Sequence, residues 1–344
     1  MAQIFQQSFP TAYSPALGKG KLKQFTEDFT VIETLSFPFT GEGEHGYLKI
    51  RKTGQNTQWV CQRLARHFSV KERDIGYAGL KDRHAITTQW FSLPYQFISD
   101  QKIESFEEEG IEILEQQRHS GKLRKGAIKY NQFEIMLREV DVKQDSLVER
   151  LTLIKQYGIP NYFDEQRFGR QRQNLTAFND MVEGKFKPKR HKQRIYISAA
   201  RSWLFNQILA ARVEQNAWSS GLSGDVYMLA GSKKVFTTEG LDDEICQRLA
   251  ENDIHPTAPL WGTGDLTSVL DALNLEQTVL DEWIDWRKKL EQAGLKQQRR
   301  ATRVVPVDFE YDYIQDQKQL KLGFKLPSGA YATNLVREII VLVS

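Results

Sequence analysis

The hydrophobic period of this chain changes twice, and that constrains its fold more than any other feature. Residues 131–140, NQFEIMLREV, alternate Phe133, Ile135 and Leu137 with polar residues, the mark of a half-buried strand. ITTQWFSL, 86–93, is rich in β-branched and aromatic residues and reads as a strand ending at Pro94. Shorter strands are predicted within 28–34, 47–54 and 110–119. From 174 to 300 the period becomes helical, with Ala199, Ala200, Trp203, Leu204, Ile208 and Ala211 forming one apolar stripe. RVVPVDF, 303–309, returns to strand character. Strand-rich flanks around a helix-rich middle predict one domain interrupted by another, 1–157 with 304–344 against 158–303. Locally, we expect a helix from Thr57 with that residue as N-cap, a long helix over 277–293 and a loosely packed lead-in over 1–20.

Several classes are excluded early. Cys61 and Cys246 cannot make a disulfide-rich scaffold or a four-thiolate zinc site, and the six histidines form no close pair. No run of 18 apolar residues is present, so no membrane span is expected. The N-terminal residues lack the basic and apolar regions of a secretory signal, and a cytoplasmic protein is expected. The G-x-x-x-x-G-K-[ST] cradle, C-x-x-C and H-E-x-x-H are absent, so neither a nucleotide cofactor nor a metal is expected.

The formal net charge is only +3, but the charge is grouped. Residues 118–129 hold five bases and no acid, and residues 167–194 hold nine bases against two acids. Such blocks can present a positive face to a polyanion. The first block includes Arg124 and Lys125. The second opens with Arg167, Arg170 and Arg172 among Tyr162, Phe163 and Phe168, a mixture suited to a phosphate backbone with exposed bases.

Two further segments can carry chemistry. In GYAGLKDRHAITTQWFSL, 76–93, Asp82 stands between Lys81 and Arg83 in a turn before a strand. A carboxylate among cations stays ionised at neutral pH and can serve as a nucleophile or base. In GKLRKGAIKYNQFEI, 121–135, Asn131 and Phe133 lie two apart and face the same side of a strand, an amide beside a ring. FKLPSGAYATNLVRE, 324–338, follows a turn with Tyr331 and a short terminal helix.

Taken in order, KLKQFTEDFTVIE (21–33), AGLKDRHAITTQWF (78–91), GKLRKGAIKYNQFEIMLREV (121–140), GIPNYFDEQRFG (158–169) and FKLPSGAYATNLVRE (324–338) resemble the TruD family of tRNA pseudouridine synthases over nearly the whole chain. The resemblance implies an α+β protein: a pseudouridine-synthase fold on a mixed, largely antiparallel sheet, plus an inserted, mainly helical α/β domain. It implies conversion of a uridine in tRNA to pseudouridine, at U13 of the D-arm in tRNA-Glu, by a monomer that needs no cofactor. Asp82 maps onto the catalytic aspartate, and Asn131 and Phe133 onto the family's N-x-F pair. Lys23 maps onto a lysine before the E-D-F match, with Lys21 beside it, and Tyr331 onto an aromatic position. Lys81 falls in the aspartate's own motif. The chain departs from the family pattern at Asp164, where glycine is more usual, and at Arg170 and Arg172, where small residues are common. An RNA-binding protein without chemistry is the rival reading, and it has no need of the Asp82 carboxylate.

Overall fold

In the computed structural model, Phe5 and residues 8–343 are described. In chain order, β1 (Lys19–Leu22), β2 (Phe29–Leu35), β3 (His45–Thr53), α1 (Thr57–Phe68), β4 (Gly76–Tyr77), β5 (Ile86–Pro94), α2 (Asp100–Glu104), β6 (Ile111–His119) and β7 (Ile128–Arg138) lead to α3 (Gln144–Tyr157). The middle comprises β8 (Ile159–Pro160), α4 (Gln173–Val182), α5 (Arg190–Glu214), β9 (Val226–Leu229), β10 (Val235–Thr237), α6 (Asp243–Ala250), β11 (Ile254–Leu260), α7 (Leu270–Asp281), α8 (Ile284–Gln292), β12 (Gln298–Ala301) and β13 (Arg303–Val304). Then follow β14 (Val307–Ile314), β15 (Gln319–Pro327), α9 (Ala332–Arg337) and β16 (Val341–Leu342).

The chain divides into two compact units. The sheet unit comprises residues 17–146, 306–329 and 340–344. Its ten-stranded sheet runs β14-β15-β7-β2-β5-β3-β6, with β1 pairing β7 and β16, and β4 pairing β5. All pairs are antiparallel except β2–β5 and β1–β16, so the sheet is mixed and largely antiparallel. The apolar stripe of α1, Val60, Cys61, Leu64 and Phe68, packs with Leu48, Ile50, Phe91 and Leu93 of β3 and β5. A second cluster gathers Leu35, Tyr47, Trp90 and Leu123.

The helical unit comprises residues 1–16, 147–305 and 330–339. These limits differ from 158–303 in that the lead-in, α3 and residues 330–339 also group with the helices. Its core centres on α5, whose Trp203, Leu204, Phe205, Ile208 and Leu209 are fully buried. A four-stranded sheet, β10-β9-β11-β12, and the β8–β13 pair complete it.

Three local expectations are corrected and one is refined. Asn56, not Thr57, caps α1, accepting the Trp59 N–H at 2.8 Å. The apolar run over 277–293 is two helices, α7 and α8, parted at Glu282 and Trp283, where Trp283 leaves helical geometry with ψ of 32°. RVVPVDF has the expected strand character, divided between two strands. Pro306 separates β13 from β14, because a proline has no N–H for a ladder. The lead-in is not loose where it is described: Phe9 is buried, stacks on Tyr162 at 5.2 Å and meets Trp203. Residues 1–4, 6 and 7 lie outside the described residues.

Candidate active site

Asp82 sits on the loop between β4 and β5, and the loop is held from several directions. At its start, Gly76 passes so close to the Leu123 carbonyl and Ser92 hydroxyl that a Cβ there would lie 2.4 and 2.5 Å from them. The Gly126 N–H donates to the Ala78 carbonyl at 2.8 Å, which ties the basic turn carrying Arg124 and Lys125 to the same loop. The Lys81 N–H donates to the Thr57 hydroxyl at 3.0 Å, which donates in turn to Gln89 at 3.0 Å. Gln89 closes the circuit by donating to the Gly79 carbonyl at 3.2 Å. Thr57 therefore serves the loop rather than the helix end, which explains why the cap falls one residue earlier.

The Asp82 carboxylate is a third exposed, and its Oδ2 accepts from Lys23 Nζ at 2.6 Å. Lys23 Nζ also lies 4.0 Å from the centre of the Phe29 ring. Lys21, the alternative lysine, pairs instead with Glu139 at 2.9 Å. Behind the loop, the buried Lys52 donates to the Asp82 carbonyl at 2.8 Å and to the Gln55 carbonyl. Burial holds the Lys52 ammonium down to about 8, with Asp82 opposing that shift and Lys81 adding to it.

The Lys81 side chain is nearly buried and meets Glu33 Oε2 at 3.0 Å and Asn131 Oδ1 at 2.6 Å. Glu33 and Asn131 stand directly opposite each other on β2 and β7. Phe133, two residues on, is buried in an aromatic cluster, 5.4 Å from Phe324 and 6.0 Å from Phe29. Asp82, Lys23, Lys81, Asn131 and Phe133 thus all belong to the sheet unit, with the first four in two bonded pairs.

Arg124 and Lys125 also lie in the sheet unit, whereas Tyr331, Arg167, Arg170 and Arg172 belong to the helical unit. Tyr331 is half-buried against its core. Asp164 accepts from the Gln166 N–H and from the Thr333 hydroxyl, so the unusual residue there caps one turn and fastens another segment. Tyr162, Phe163 and Phe168 are not exposed stacking surfaces, as their pattern had suggested. All three are buried in the core. Arg167 lies over Phe163 at 5.4 Å, and Arg172 pairs with Glu165 at 2.5 Å and lies over Trp203. Arg170 is exposed and, with Gly169, Gln171 and Thr176, borders an open cleft.

Three residues at or near these groups escaped the sequence reading. Lys52 was signalled by its register, since it falls on the same strand face as Leu48 and Ile50, where an unpaired cation is costly. Glu33 carried no signal until its pairing with Asn131 was known. Arg300, in the helical unit, lies 4.1 Å from the Phe163 ring and donates to Asn161 Oδ1 at 2.6 Å. Burial lowers it to about 10. Among the described residues, no cluster of three or more His, Cys, Asp or Glu could hold a metal, and no helix is long and apolar enough to cross a membrane.

A mixed, largely antiparallel sheet with helices, carrying a lysine-held aspartate on a fastened loop, makes this an α+β protein, and comparison with known proteins gives the family. The model of tRNA pseudouridine synthase D (TruD) matches residues 11–189 and 175–339. The chain belongs to that family. It is 43% identical to the tRNA pseudouridine synthase D of Methylococcus capsulatus, over 96% of this chain and 94% of that protein. It is 44% identical to that of Aeromonas salmonicida, over 93% and 90%. In fold it matches a crystal structure assigned as TruD from Methanosarcina mazei, with TM-score 0.74 and 22% identity, covering 98% of this chain and 97% of that one.

Proposed function

We propose that this protein isomerises uridine to pseudouridine in tRNA, with Asp82 as the acting residue and U13 in the D-arm of tRNA-Glu as the target. Family membership supports the reaction. The observation that carries the assignment of Asp82 is its partly exposed carboxylate, held 2.6 Å from Lys23 on a loop fastened at Thr57, Lys52 and Gly126.

In the reaction the N1–C1′ bond breaks, the uracil turns, and a C5–C1′ bond forms. C5 loses a proton and N1 gains one, so atoms and electrons balance without a co-substrate. Asp82 can attack C1′ or C6, or take the proton from C2′. Each route needs a carboxylate at a fixed place, and Lys23 holds it there at 2.6 Å. A uridine in a folded arm must leave its stack to reach Asp82, at a cost of a few kcal/mol. On this reading the sheet unit performs the chemistry. The basic segments around Arg124 and Lys125 and around Arg167, Arg170 and Arg172 grip phosphates, which set register without reading bases.

Mapping pseudouridine in tRNA from cells with and without the protein tests the reaction and the target together. Loss of one pseudouridine, at position 13 of tRNA-Glu, is the expected result. An unchanged map refutes the reading. Loss at another position refutes only the target.

A further inference from the structure

Lys81 leaves the loop one residue before Asp82, yet it turns into the protein rather than toward solvent. Its ammonium meets Asn131 Oδ1 at 2.6 Å and Glu33 Oε2 at 3.0 Å. The other oxygen of Glu33 accepts the Trp90 N–H at 3.2 Å, so the carboxylate is anchored at both ends. An ammonium has only donors. The Asn131 atom that faces Lys81 must therefore be its oxygen, and the amide orientation is dictated by chemistry. Its NH2 group faces the other way, on a half-buried side chain, and makes no hydrogen bond among the described residues.

We propose that the Glu33–Lys81 pair is a positioning device that holds Asn131 as a pure donor to the edge of the target base, and that this donor selects uracil over cytosine. The inference rests on the reading of the Asp82 loop as the uridine site. Lys81 and Glu33 act through Asn131 and do not touch the base.

The chemistry of the reaction gives such a donor a second use. Uracil presents O4, N3–H and O2 in a pattern that is symmetric about the line through N3 and C6. The turn that exchanges N1 with C5 is a rotation about that line, so it also exchanges O2 with O4. A fixed donor that binds O4 in the uridine meets O2 in the pseudouridine. Asn131 stays satisfied before and after the turn. Cytosine breaks the symmetry: its amino group stands where O4 would be, and two donors then face each other. A donor locked by Lys81 cannot turn its oxygen to accommodate that group, whereas a free amide could. Glu33 is required because a buried ammonium without a carboxylate is costly.

The test measures discrimination in the Asp82→Asn background, where turnover does not complicate binding. Two tRNA transcripts compete, one with its modified uridine intact and one with cytidine in that place. The Asp82→Asn protein is expected to favour uridine by about tenfold, the worth of one good hydrogen bond against an unpaired donor. Adding Lys81→Met together with Glu33→Gln, which leaves no orphaned buried charge, should bring the ratio close to one. Total affinity, set by phosphates, should change less than the ratio. Asn131→Leu, which removes the donor and leaves Lys81 its Glu33 partner, should collapse the ratio too, and stands in should the paired variant not fold. With Asp82 intact, the paired variant should lose kcat more than it raises KM. No uridine preference in the Asp82→Asn protein, or a preference that survives either variant, overturns the proposal. Turnover by the Asp82→Asn protein would instead refute the catalytic reading, so the two failures are separable.

Discussion

Lys23 and Asp82, 59 positions apart in sequence, meet at 2.6 Å, and Lys23 does so from a left-handed backbone conformation with φ of 60°. A non-glycine residue in that region is held there by its surroundings. Its ammonium is shared between the carboxylate and the face of Phe29. Lys23→Met should therefore lower single-turnover rate at saturating enzyme by about tenfold or more, the worth of one charge-assisted hydrogen bond, while tRNA affinity changes little. A mutant that loses affinity but keeps its rate would make Lys23 a phosphate contact instead.

Asp82→Asn keeps the volume of the side chain and its place on the loop. The neighbouring anchors are to the backbone of this segment, at the Lys81 N–H and the Asp82 carbonyl, and survive the change. Tritium release from tRNA labelled at C5 of uridine should fall to background with tRNA binding retained. Near-normal release would remove Asp82 from the mechanism.

The two arginines after Gly169 should not contribute equally to RNA binding. Arg170 is exposed, whereas Arg172 is engaged by Glu165 and lies over Trp203. Arg170→Gln should reduce the slope of log K against log salt by about one, as expected for one lost phosphate contact. Arg172→Gln should change the slope less and thermal stability more. Equal slopes for both variants and the wild type would take this segment out of the RNA interface.

Glu338 offers a pH test in the helical unit. Burial raises its carboxyl to about 7, against the Tyr13 and Ala12 N–H groups and the Arg337 and Arg150 cations, which lower it. The ordinary value is 4.5, so the folded state holds a proton that the unfolded chain releases between 4.5 and 7. Stability from this group is full below 4.5 and is lost as pH rises through 7. Glu338→Gln keeps an acceptor for the Tyr13 N–H, which approaches at 3.0 Å. Denaturant midpoints should show the variant gaining on the wild type as pH rises from 5 to 8. A constant difference across that range would contradict it.

The alternation of Phe133, Ile135 and Leu137 was enough to place β7, because one face of that strand is buried and the period records it. The Asp82 turn was legible for a similar reason, since its glycines and charges punctuate the chain before β5. What lay beyond reach was pairing. No local pattern puts Glu33 opposite Asn131, or brings Lys23 to Asp82, because those contacts are set by strand order rather than by neighbours in sequence. The aromatics after Asn161 misled for the converse reason. Arginines beside rings look alike whether the rings face RNA or, as here, a core.

β7 lies between β2 and β15, and β15 begins only at Gln319. As the chain leaves the ribosome, the strand that bears Asn131 and Phe133 acquires its first neighbour early. Its other edge stays open while every residue of the long middle segment is made. Unpaired strand edges invite association with other chains. Synthesis thus leaves β7 half-clothed while residues 139–318 are added, and truncated products that stop before β15 should be the ones that aggregate.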